Sequence, residues 1–296
     1  MANLKEVKGR IQSVVSTQQI TKAMKMVAAA KLRKAQDRII QMRPYSQKLS
    51  EIIQNVSAGQ SDTADNPYSE ERAIENVLLV VVTSDRGLCG AFNSSIFKAT
   101  KALIAEKYSH IEASGNLDIL PIGKKALEHF TKRKYNVIST YSHLIEKLNF
   151  ADAKEAAEMV MADFLDGKYD RVDIVYNEFK NVATQIVKKE QFLPIKEVEI
   201  EESDADFGEI DYIYEPSKDF IFDELVPKSL KIQFYKTLLE SNASEHGARM
   251  TAMDKATENA DDLLKELRLT YNRTRQAAIT KEILEIVGGA EALAQG

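Results

Sequence analysis

Residues 253–277 read MDKATENADDLLKELRLTYNRTRQA, and this stretch decides the architecture. Met253, Ala256, Ala260, Leu263, Leu267, Thr270, Thr274 and Ala277 follow one another at alternating spacings of three and four. That is the seam of a helix packed lengthwise on another helix. Ile279, Ile283, Ile286, Ala290 and Leu293 continue the rhythm on a neighbouring face. No proline follows Pro227, so one helix is predicted over 228–296. At about 1.5 Å per residue, the stretch to residue 287 alone is roughly 90 Å long and needs an equally long partner.

The other end of the chain supplies one. Leu4, Val7, Ile11 and Val14 repeat at 3, 4 and 3, and Ala28, Leu32, Ala35, Ile39 and Met42 resume the same phase two heptads later. Between them that phase falls on Gln18, Thr21 and Lys25, while apolar residues move to Ile20, Met24 and Val27. The buried face is therefore expected to swing around the helix there. Pro44 lacks an amide and crowds the carbonyl of Ile40, which predicts a kink in a first helix over 1–58. A compact domain joins the end of the first helix to the start of the last. Parallel packing would force that connection to travel the whole coil, so antiparallel packing is expected. Ala28, Ala35, Ala256, Ala260 and Ala277 would let the backbones approach closely.

After a loop rich in Gly, Ser, Asp and Pro over 57–69, the period changes. Val77–Val82 is a continuous apolar run suited to a strand buried on both faces. Helices are predicted at 91–107, 124–133 and 151–165, and strands at 117–121, 137–140, 172–179 and 185–193. Alternating strands and helices over 70–196 argue for a layered α/β domain inserted between the two long helices. The fold class is thus α/β plus a long antiparallel α-helical coiled coil. Residues 197–227 form an acidic connection, with twelve acids against Lys218 alone over 197–224.

The net charge of −5 hides an asymmetry. Over 1–50 eleven lysines and arginines face only Glu6 and Asp37, so the first helix seeks an acidic partner. Nucleic-acid binding would use that charge, but the only aromatic interleaved there is Tyr45. No run approaches the roughly 20 apolar residues of a membrane span. The start, MANLKEVKGR, lacks the apolar core of a secretory signal. Cys89 is the single cysteine, which fits a reducing compartment and excludes a cysteine-built metal site.

Chemistry is sparse. Residues 83–90, TSDRGLCG, follow a buried strand and precede a helix, where open α/β sheets hold ligands. A nucleotide-binding enzyme is the reading to weigh there, yet both GxGxxG and the P-loop pattern are missing. The turn is read instead as one that presents Arg86. His110, His129, His143 and His246 match no metal-ligand spacing. No catalytic residue, cofactor or metal is expected.

Three blocks carry a resemblance over essentially the whole chain: Ile20 to Ala29 (ITKAMKMVAA), Ser84 to Gly90 (SDRGLCG), and Ile279, Thr280, Glu282, Glu285, Gly289 and Ala290 preceded by Arg275, Gln276 and Ala277. In that order they resemble the gamma subunit of F-type ATP synthases. The resemblance implies a Rossmann-like form for the inserted domain, and a non-catalytic rotor shaft inside three alpha and three beta subunits, with an epsilon subunit and a membrane c-ring as further partners. It implies a peripheral place on the cytoplasmic face of the bacterial inner membrane, touching the membrane only through the complex. By position, Lys22, Met24 and Lys25 would lie near an acidic lever of a beta subunit, which Arg86 would also face. Arg275 and Gln276 would meet a loop that catches the shaft. Arg249, Thr280, Glu282 and Glu285 would be polar contacts along the stem, and the apolar tip from 283 to 293 would run in a bearing. Ala91 stands where many relatives have glycine, and the cysteine-bearing insert of a thiol switch is missing.

Overall fold

A computed structural model describes residues 4–57, 66–195 and 218–294. In chain order the elements are α1 (Leu4–Ser57), β1 (Val77–Val82), α2 (Phe92–Lys107), α3 (Ser109–Ser114), β2 (Leu117–Ile122), α4 (Lys124–Thr131), β3 (Asn136–Val137), α5 (Phe150–Leu165), β4 (Arg171–Phe179), β5 (Gln185–Leu193) and α6 (Lys218–Ala294). They divide into two compact units, residues 29–249 and residues 1–28 with 250–296, and both long helices contribute to both.

The larger unit is built on a sheet of order β3-β2-β1-β4-β5. β1 pairs in parallel with β2 and with β4, β2 with β3, and only β5 runs antiparallel, against β4. All six residues of β1 are buried, because helices cover both faces of a central parallel strand and its β-branched run suits that place. Val77, Leu79 and Val81 pack with Ile96, Leu103 and Ile104 of α2 and with Phe130 of α4. Buried tyrosines pin the carboxylates that the strands carry inward: Tyr108 Oη donates to Asp173 and Tyr169 Oη to Asp118, each at 2.6 Å. α5 starts where Asn149 accepts the Asp152 amide at 2.9 Å. Within this unit α6 is tied to the domain by Lys231 and Glu158 at 2.6 Å and by Phe234 against Phe192.

The smaller unit is a helix pair. Gln18 Nε2 donates to Asp261, Thr21 and Thr257 share a hydroxyl hydrogen bond at 2.8 Å, and Lys25 pairs with Asp254. Numbers rise along α1 as they fall along α6, so the pair is antiparallel. The buried face does not swing as the local apolarity suggested. Val7, Thr21 and Ala28 are buried and Ile11, Val14, Gln18 and Lys25 half-buried, all in one phase, while Ile20, Met26 and Val27 are exposed. The regular coil prevails because each polar seam residue has a partner across it. On α6 the seam is Met253, Thr257, Ala260, Leu264 and Leu267, so Leu264 takes the place that spacing assigned to Leu263.

Other boundaries differ from expectation. α6 begins at Lys218 and runs through Pro227; ten helical residues precede Lys228, so Pro227 lies within the helix. α1 is likewise continuous through Pro44. Of the acidic connection, residues 197–217 lie outside the described residues, as do 58–65 of the earlier loop. α3 was not anticipated.

Candidate partner-contact site

β1 has β2 on one side and β4 on the other, so the crevice beyond its carboxyl end is the sheet's switch point. The turn at 83–90 occupies it. The Ser84 amide donates to Asn93 Oδ1 at 3.1 Å, and Ser84 Oγ donates to the Arg86 carbonyl at 2.7 Å. Asp85 accepts the Lys124 amide at 3.0 Å, and Thr83 Oγ1 the Ala126 amide at 2.9 Å. Gly123 is required beside it: at φ +106 its absent Cβ would lie 2.3 Å from the Thr83 carbonyl oxygen. Cys89, Phe92 and Ala248 of α6 form a buried cluster. The turn is closed against the chain's own helix. Cys89 accepts from Asn93 Nδ2 at 3.4 Å and is a packed thiol.

Arg86 is exposed on this turn, and so is Leu88, at 68% and with φ +64. Arg249 lies behind them. Its guanidinium donates to the carbonyls of Arg86 at 3.1 Å and Gly87 at 2.5 Å, and to Glu245 at 2.6 Å. Burial raises the pKa of the Glu245 carboxyl even though the hydrogen bond from Arg249 lowers it. Next to Glu245, His246 is buried with no hydrogen bond to Nδ1, and burial first, then Lys31 and Arg249, lowers its pKa to about 4. Sequence reasoning passed over Glu245 and Leu88. The available signal was the i, i+4 spacing of Glu245 and Arg249 on one helix.

In the smaller unit, Lys22 is exposed and Met24 half-buried, whereas Lys25 is engaged with Asp254. Arg275, Gln276, Thr280, Glu282 and Glu285 are exposed, the last within 3.6 Å of Lys281. Extrapolating the register from Gln18 and Asp261, fourteen residues along each helix, puts Leu4 opposite Arg275. α6 thus outruns α1. From 275 to 290 every side chain is exposed, including Ile279, Ile283, Leu284, Ile286 and Val287. The structure therefore does not bring Lys22 and Met24 together with Arg275 and Gln276: the first two lie beside the seam opposite 254–257, the others at the far end of α6.

A cavity of about 640 Å³ in the larger unit is lined by Arg38, Tyr45, Phe150, Lys154, Lys231 and Tyr235 among others. Its cations are already engaged: Lys154 and Lys231 with Glu158, Arg38 with the Leu148 carbonyl. No group of side chains among the described residues is clustered to hold a metal ion, and no described helix is long and apolar enough to cross a membrane.

The described residues thus form an α/β domain with its crevice closed by its own helix, and an antiparallel helix pair in which the end of α6 stays exposed. Residues 3–293 match the profile of the family described as ATP synthase. The ATP synthase gamma chain of Cytophaga hutchinsonii is 63% identical over 293 residues, 99% of each chain. That of Christiangramia forsetii is 54% identical over the same share. A chain in the central stalk/c-ring structure of the Tetrahymena thermophila mitochondrial ATP synthase superimposes with a TM-score of 0.56 at 27% identity, covering 80% of this chain and 99% of that one. One from the Euglena gracilis enzyme gives 0.66 at 21% identity, covering 98% and 94%, a likeness of fold. The chain belongs to the ATP synthase gamma-chain family.

Proposed function

We propose that this chain is the central rotor shaft of an F-type ATP synthase and catalyses nothing itself. It couples proton-driven rotation to conformational change, and so to ATP synthesis or hydrolysis, in a surrounding ring of three alpha and three beta subunits. The epsilon subunit and the c-ring bind the same shaft, on the cytoplasmic face of the bacterial inner membrane. The observation that carries this reading is the end of α6. A helix with Ile279, Ile283, Leu284, Ile286 and Val287 all exposed leaves an apolar surface of the kind that a partner protein covers.

The physical logic is asymmetry within pseudo-threefold symmetry. One shaft cannot show the same face to three beta subunits, so each feels different contacts and takes a different nucleotide affinity. Shifting a two-state subunit from 1:99 to 99:1 needs about 5.5 kcal/mol of differential binding. Charge-assisted hydrogen bonds contribute roughly 1.5–3 kcal/mol each, so two to four contacts suffice. Arg86, Arg275 and Gln276, all exposed, are a set of that size. Lys22 and Met24 flank the seam on the basic helix, and Thr280, Glu282 and Glu285 line the uncovered end of α6. Lys25 is half-exposed beside Asp254 and acts chiefly within the coil. Coupling runs both ways: whatever turns the shaft biases the sites, and site chemistry turns the shaft.

The test is Arg275→Ala with Gln276→Ala in the reconstituted complex. Both side chains are exposed, so the fold is unchanged and the ratio of protons pumped to ATP hydrolysed falls. Wild-type ratios in the double variant refute the contact role. Co-purification of the chain with larger ATPase subunits, identified by mass spectrometry, supports the assembly; saturable ATP binding by the isolated chain would instead favour an enzyme.

A further inference from the structure

Arg249 resembles a polar contact along the stem, yet its guanidinium points at the chain's own backbone. Nη1 donates to the Gly87 carbonyl at 2.5 Å and Nη2 to the Arg86 carbonyl at 3.1 Å, with Glu245 Oε1 at 2.6 Å from Nη2. The Arg249 side chain is only 12% exposed, so little of it is available to another protein. A planar guanidinium fork suits two successive carbonyls as a mobile ammonium does not. The same turn is held from its other side, where Ser84 Oγ donates to the Arg86 carbonyl and Asp85 accepts the Lys124 amide.

What this bracing exposes is specific. Arg86 projects a cation, and Leu88 an apolar side chain, 68% exposed at φ +64. A leucine in the left-handed region is sterically costly and persists only where its surroundings over-determine it. An exposed leucine gains nothing there from burial within its own chain.

We propose that Arg249, oriented by Glu245, is a positioning residue that latches the turn at 86–88 to α6. The latch presents the Arg86 cation and the Leu88 side chain as one preset pair to a partner protein whose surface sets carboxylates beside an apolar depression. Fixing the turn in advance removes the ordering cost that a loose loop incurs at each encounter. This deepens the rotor reading and rests on it, because it takes the turn to touch a neighbouring subunit.

Hydrogen exchange on the isolated full-length chain tests the latch itself. In Arg249→Met the amides of Ser84, Phe92 and Lys124, whose hydrogen bonds tie the turn to its surroundings, exchange roughly tenfold faster or more than in the wild type, the loss expected for charge-assisted hydrogen bonds. Arg249→Lys and Glu245→Gln fall between. Unchanged exchange in Arg249→Met overturns the latch. In the reconstituted complex, Arg86→Ala with Leu88→Ala lowers the ratio of proton pumping to hydrolysis, and adding Arg249→Met lowers it no further. A further, additive loss makes Arg249 a partner contact in its own right and overturns the proposal. If the Arg86 and Leu88 substitutions leave the ratio unchanged while the exchange difference stands, the turn's contact with a neighbouring subunit is overturned, separately from the latch geometry.

Discussion

His246 shows how one buried side chain ties this fold to pH. In the folded chain its imidazole is neutral, its pKa lowered to about 4 by burial and by Lys31 and Arg249, against an ordinary value of 6.5. As pH falls from about 6.5 towards 4, the unfolded chain takes up a proton that the folded chain refuses, and stability is lost. The loss is roughly 3 kcal/mol at most. Glu245 acts in the opposite sense, because its raised pKa costs stability as pH rises above 4.5. Urea unfolding of His246→Asn across this window should give a flatter pH dependence than the wild type; parallel curves would contradict the assignment. Gly123 offers a second check. Its φ of +106 and the Thr83 oxygen 2.3 Å from any Cβ predict that Gly123→Ala costs more than about 3 kcal/mol, read as a lowered urea midpoint. The sequence made Arg86 legible, because a glycine-flanked turn after a buried strand has few other readings. Leu88 stayed hidden because a positive φ leaves no mark in spacing, and the i, i+4 spacing of Glu245 and Arg249 does not show that the guanidinium also holds two backbone carbonyls.

Among the elements, legibility followed burial. β1 was readable to the residue because VLLVVV has one physical use. α3 went unread although Gly115, at φ +82, closes it as a left-handed C-terminal cap; six residues carry too little periodicity. In the coil the three-four rhythm and its phase at both ends of α1 were legible, but that the seam holds this phase through the polar middle was not. The seam passes through Gln18, Thr21 and Lys25 because Asp261, Thr257 and Asp254 answer them, and a partner across an interface cannot be seen from one helix. Polar residues at seam positions fix register at some cost in stability. A double-mutant cycle on Lys25→Asp and Asp254→Lys, followed by the helical circular dichroism signal in urea, should return a coupling of about 0.5–1 kcal/mol, small because both side chains are nearly half exposed. The charge-swapped pair recovers most of what either single change loses. Zero coupling would mean that the pair does not set register.

For the chain as a whole, the division of labour follows from which surfaces are satisfied internally. The switch-point crevice, where a doubly wound sheet offers a ligand site, is closed by Cys89, Phe92 and Ala248. The end of α6 and the apex of the turn stay exposed. Family membership was legible from three short blocks, while the contact roles of Arg86, Arg275 and Gln276 depend on chains outside this one. Direct observation of rotation tests the account's central claim. A bead tethered through Ser109→Cys, on exposed α3, in an immobilised complex of this chain with its alpha and beta subunits should turn in one direction, in three steps per revolution, while ATP is hydrolysed. A bead that stays fixed during hydrolysis would contradict the rotor.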